Sequence, residues 1–120
     1  MRLGDLIKFL EDRRPERLVA LGFAQPHSYR GIYSDLAFQP KANVTVGEML
    51  AAAKSALGTT YEGWKGGDFT MTGWTECWLA ERGHGDGETL GPVLLTLMLA
   101  ADTEDRDLAE ALSAFLPGYP

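Results

Sequence analysis

The feature that most constrains this chain is the glycine punctuation of its second half. From Thr59 onward, runs of period-two character are separated by breaks of two to five residues. The breaks are Lys65-Gly66-Gly67, Gly73-Trp74 and Gly83-His84-Gly85-Asp86-Gly87. The runs between them, 59–64, 68–72, 75–81 and 88–99, read as strands. Glycine-rich connections of this length are hairpin signals. Parallel pairing needs a crossover of a dozen or more residues, so the spacing predicts an antiparallel meander.

The first half carries helical signals. Leu3, Leu6, Ile7 and Leu10 recur at helical spacing until Pro15 stops them, which predicts a helix over about 4–13. Leu18–Phe23 is apolar and strand-like, and Gln25-Pro26-His27-Ser28 breaks it. Tyr29–Phe38 reads as a second extended segment, and Gln39–Asn43 as a loop. Thr45 and Glu48 form a capping box ahead of Val46, Met49, Leu50, Ala53 and Leu57, with Gly58 at the position where helices end. Asp102–Phe115 reads as a last helix, capped by Asp102 or Thr103, with Leu108, Ala111, Leu112 and Phe115 on its apolar face. The expected fold is α+β, a meander of four to six strands with two or three packed helices. The 120 residues suit a single domain, with a core over 1–101 and a helical tail over 102–120.

Eleven Lys and Arg stand against 17 Asp and Glu, a net charge of −6. Such a surface repels nucleic-acid polymers and anionic membranes. No run reaches the roughly 18 apolar residues of a membrane span, and the first residues lack a signal peptide's apolar region. Cys77 is the only cysteine, so no intrachain disulfide forms, as suits a cytoplasmic protein. It reads as a small buried apolar residue. His27 and His84 are far apart and neither has a ligand-spaced neighbour, so neither a metal nor a cofactor is expected.

Two segments carry binding chemistry. In the first, His27, Ser28, Tyr29, Arg30 and Tyr33 place an imidazole, a hydroxyl, two phenols and a guanidinium close together. Arg30 could clamp a phosphate or carboxylate through two hydrogen bonds, or pair with Asp35. In the second, Tyr61, Trp64, Lys65, Gly66, Gly67, Asp68 and Phe69 combine flat faces, a cation and glycine amides. The alternative for this stretch is a hairpin turn with aromatic cross-strand packing. It is not a P-loop, because Trp64 separates Gly63 from Lys65 and Gly66 follows the lysine. Chemical convergence predicts that both segments line one pocket.

Ser28-Tyr29-Arg30-Gly31, Tyr33, Leu36-Ala37-Phe38, Thr45-Val46 with its helix, Gly63-Trp64-Lys65-Gly66-Gly67-Asp68-Phe69-Thr70-Met71 and Trp78 together resemble a family of small tailed-bacteriophage proteins. The likeness covers roughly residues 16–90 and supplies no catalytic residues. It implies a phage gene expressed in a bacterial host cytoplasm. In that setting, the expectation is a homo-oligomer that sequesters a nucleotide-derived immune signal, such as a cyclic nucleotide or an ADP-ribose derivative. A protein-interaction inhibitor of a host enzyme and a small nucleotide hydrolase stand as alternatives. Oligomer contacts are expected from the apolar Leu90–Leu99 run and the tail.

Overall fold

The computed structural model describes residues 1–63 and 65–100. Trp64 and the helix expected over 102–115 lie outside the described residues. The described part is α+β: α1 (Leu3–Glu11), β1 (Leu18–Ser28), β2 (Leu36–Thr45), α2 (Val46–Ala56), β3 (Thr60–Glu62), β4 (Asp68–Thr70), β5 (Cys77–Leu79), β6 (Glu88–Thr89) and α3 (Pro92–Ala100). One sheet runs in the order β1-β2-β5-β6, and β3-β4 form a separate hairpin. Among the described residues no helix is long and apolar enough to cross a membrane.

The apolar stripe of α1 is fully used: Leu3, Leu6, Ile7 and Leu10 are all buried. Burying each is worth roughly 1.5–3 kcal/mol. In α2, Val46, Met49, Ala53 and Ala56 face the same core. The Thr45 hydroxyl accepts from the Glu48 amide at 3.1 Å, as the capping box predicts. The reciprocal bond differs: the Thr45 hydroxyl donates to Glu48 Oε1 at 3.2 Å. Thr45 is also the last residue of β2, paired with Leu18 in the ladder. Gly58 follows the cap with φ of 80° and suits this turn.

β1 and β2 make a long antiparallel hairpin that the sequence divides too early. β1 continues through Pro26 because the register shifts between Ala24 and Pro26, with Gln25 at φ 45°. β1 is an edge strand, where proline costs no ladder bond to a further neighbour. The expected loop at Gln39–Asn43 is strand as well. There β2 pairs with β1 alone, because β5 accompanies only Leu36–Phe38. Pro40 is tolerated for that reason. Gly22 is favoured by packing, since a Cβ there would run into Val44 Cγ2 and lie 2.9 Å from Met49 Sδ.

Three further expectations need correction. β5 pairs with β2 in parallel, so the sheet is not a pure meander. β2 reaches β5 only after α2 and the β3-β4 hairpin, a crossover long enough for parallel pairing. Tyr29–Asp35 is a loop rather than a strand, closed by the Tyr29 amide donating to the Asp35 carbonyl at 2.9 Å. Finally, most of the run expected as strand over 88–99 is helix: α3 spans Pro92–Ala100, and its Leu95, Met98 and Leu99 are buried in the core.

Candidate functional site

The ends of β1 and β3 meet beside the segment that follows β5. They enclose a cleft of about 330 Å³ lined by His27, Ser28, Tyr61, Glu62, Gly63 and Arg82. β1 supplies His27 and Ser28 because the shift at Gln25 turns its last three residues into a new register. Tyr61 stands opposite Phe69 across the β3-β4 hairpin, and both rings are half-buried. Gly63 is held by the turn: its amide donates to the Gly67 carbonyl at 2.9 Å, and a Cβ there would meet the Phe69 ring at 2.7 Å.

The cleft has a mixed chemistry. His27 Nδ1 lies 3.1 Å from the Gln25 carbonyl, so in the neutral ring Nδ1 donates and Nε2 is the acceptor. Burial holds the His27 pKa below its usual value; the Gln25 hydrogen bond partly offsets this, and the Arg82 charge adds to it. Burial raises the Tyr61 phenol above its ordinary value. The Ser28 hydroxyl donates to the Tyr33 carbonyl at 2.8 Å. Arg82 is anchored by its backbone, whose amide donates to Gln39 Oε1 at 2.8 Å. Its exposed side chain has no ion-pair partner among the described residues.

A second cleft, of about 390 Å³, is lined by Tyr29, Gly31, Ile32, Trp78, Gly85, Asp86 and Gly87. Here the rings and polar groups are already engaged. Tyr29 stacks on Trp78 with centroids 4.7 Å apart and planes 18° from parallel. The Tyr29 hydroxyl donates to the Gly85 carbonyl and accepts from the Gly87 amide, both at 2.9 Å. Trp78 Nε1 donates to Asp35 Oδ2 at 2.9 Å. Gly31 is needed for this closure, since a Cβ would lie 3.0 Å from the Gly85 carbonyl oxygen.

The residues expected to converge are thus divided. His27, Ser28 and Tyr61 share the first cleft, whereas Tyr29 lines the second. Arg30 lines neither, and its Nη1 donates to the Gly83 carbonyl at 3.2 Å. Asp35 accepts from Trp78, as described above. Tyr33 contributes its carbonyl to Ser28. Lys65, Gly66, Gly67 and Asp68 are exposed on the hairpin turn and its first paired residue, and Phe69 packs opposite Tyr61. The amide of Gly66 bonds back to the Gly63 carbonyl at 3.0 Å, and Gly66 and Gly67 have φ of 92° and 84°. These glycines therefore serve the turn.

Sequence reasoning did not single out Glu62, Gly63 or Arg82 as ligand-binding residues. No motif marks Arg82, which reaches the cleft only through the parallel pairing that carries β5 alongside β2. Cys77 is fully buried, and burial pushes its thiol up to about 12. Among the described residues no group of three or more His, Cys, Asp or Glu could hold a metal ion. No protein-family model, curated protein or solved structure matches the chain.

Proposed function

We propose that the protein binds a nucleotide-like small molecule in the His27–Arg82 cleft and holds it without turnover. The observation that carries this reading is the cleft's composition. It combines a half-buried aromatic ring, a carboxylate, an imidazole and a guanidinium with no protein ion-pair partner among the described residues. Arg82 would take a phosphate, Tyr61 would stack on a base, and Glu62 would accept from the N–H edge of that base. The volume of about 330 Å³ falls at the lower end of small-molecule sites.

The wider role follows from the resemblance of the sequence to small tailed-phage proteins. In a phage-infected bacterium, a binder of this kind would sequester a nucleotide-derived immune signal. Sequestration requires no nucleophile. A hydrolase working through a serine nucleophile would need that hydroxyl poised on a base, and the Ser28 hydroxyl instead donates to the Tyr33 carbonyl.

A thermal-shift series against mononucleotides, cyclic dinucleotides and ADP-ribose tests the proposal. One-site binding at a hundred times Kd adds about 2.7 kcal/mol of stability. The expected result is stabilisation by one of these classes, with the ligand recovered intact after denaturation. A flat response across the whole series contradicts it, and recovery of a cleaved product favours the hydrolase.

A further inference from the structure

α3 is apolar over its whole circumference, its sequence being Pro-Val-Leu-Leu-Thr-Leu-Met-Leu-Ala. A helix of that composition is ordinarily covered on every side. Leu95, Met98 and Leu99 satisfy this expectation on one side by burial in the core. On the other side Val93 is 56% exposed and Leu94 and Leu97 are half-buried. Leu94, Leu97 and Met98 form one wall of an apolar cleft of about 440 Å³, opposite Leu21 of β1 and Leu79 of β5. Leu21 is itself 65% exposed. Among the described residues of the lining, Lys41 is the one that carries a charge.

Apart from Trp64, the chain outside the described part follows Ala100. Residues 101–120 carry Leu108, Ala111, Leu112 and Phe115 at helical spacing. The same segment holds five carboxylates, Asp102, Glu104, Asp105, Asp107 and Glu110, against the single Arg106. It therefore offers an apolar face for the cleft and an acidic flank for Lys41. Arg17 Nη2 donates to the Leu99 carbonyl at 2.7 Å, which ties the last described part of α3 to the segment before β1. Fourteen residues in helical form would reach about 20 Å, enough to run back along α3.

We propose that the apolar face of residues 102–115 docks into this cleft on its own chain. Tethering decides between this occupant and a second copy. A segment on a short link sits at roughly millimolar effective concentration, far above that of another protomer at micromolar protein. The docked segment takes up the apolar surface of α3 on which the expectation of a homo-oligomer rested.

The test uses the full chain with Leu97→p-benzoylphenylalanine, irradiated and digested. The expected adduct joins position 97 to residues 104–116 of the same molecule, at monomer mass. An adduct to a second chain, or one confined to residues outside 104–116, overturns the proposal. Hydrogen exchange keeps the question decidable if that variant fails to fold. In the full-length Leu112→Asp chain, the α3 amides should exchange at least tenfold faster than in the unsubstituted chain, while those of β1 and β2 stay unchanged. Unaltered exchange in α3 overturns the proposal.

Discussion

Two regions that share the chain around Ser28–Tyr29 and the chain after β5 end in opposite states. The His27–Arg82 cleft is lined from the end of β1, the end of β3 and Arg82 after β5, whereas the Tyr29–Trp78 region is lined from the β1–β2 connection, β5 and the loop that follows it. Around Tyr29, the ring stack, the hydroxyl and the indole N–H are all consumed by the protein. Around Arg82, the backbone is anchored while the side chain has no ion-pair partner among the described residues. Aromatic and polar residues therefore do not by themselves mark a ligand site. What matters is whether the fold has already used their bonding capacity.

The largest expected effect falls on the consumed region. Trp78→Ala should lower unfolding stability by about 3 kcal/mol, since it removes a packed aromatic and strands the Asp35 acceptor. Tyr29→Phe keeps the stack and loses the hydroxyl, leaving the Gly87 amide and Gly85 carbonyl without it. The expected loss is about 1–2 kcal/mol. Denaturant titration measures both, and losses below 0.5 kcal/mol would show that this region is not a structural lock. Thr45→Ala, remote from both regions, calibrates the scale: loss of the cap should cost about 1 kcal/mol.

A pH titration probes the cleft without mutating its cation. Burial lowers the His27 pKa in the folded chain, so the unfolded chain binds the proton more tightly. His27 thus costs no stability above its ordinary value of 6.5, and stability falls as pH drops below it toward the lowered folded value. In His27→Gln this contribution should vanish and the stability curve should flatten between pH 7 and 5. An unchanged slope would mean that His27 is not desolvated. Cys77 gives a simpler check. With its thiol raised to about 12 and fully buried, it should react with a thiol reagent only on unfolding.

The sequence revealed elements wherever side-chain periodicity and end signals agreed. α1 was marked by four buried residues at helical spacing, α2 by Thr45 and Gly58, and the β3-β4 hairpin by its glycines. It misled where one signal stood for two structures. Leu90–Leu99 is apolar on every side and has no period to separate helix from strand. Pro92, now seen as the first residue of α3, was the available clue. Pro26 and Pro40 read as breaks because their tolerance depends on which edges are unpaired, a property of the sheet rather than of the segment. Of the candidate site, His27, Ser28 and Tyr61 could be named from local chemistry. Arg82 could not, because only tertiary pairing carries it there. The cation expected from sequence, Arg30, instead bonds the Gly83 carbonyl.

Calorimetric titration of the nucleotide that gives the largest thermal shift, run in parallel on the wild-type chain and on Arg82→Ala, tests the cleft most directly. Loss of a charge-assisted bond to phosphate is worth about 1.5–3 kcal/mol, so the variant should bind roughly ten- to a hundredfold more weakly. Its unfolding stability should stay within about 0.5 kcal/mol of wild type, as for exposed side chains without a partner. Equal affinity in the two proteins, or loss of binding accompanied by loss of fold stability, would contradict the assignment of Arg82 and its cleft as the ligand site.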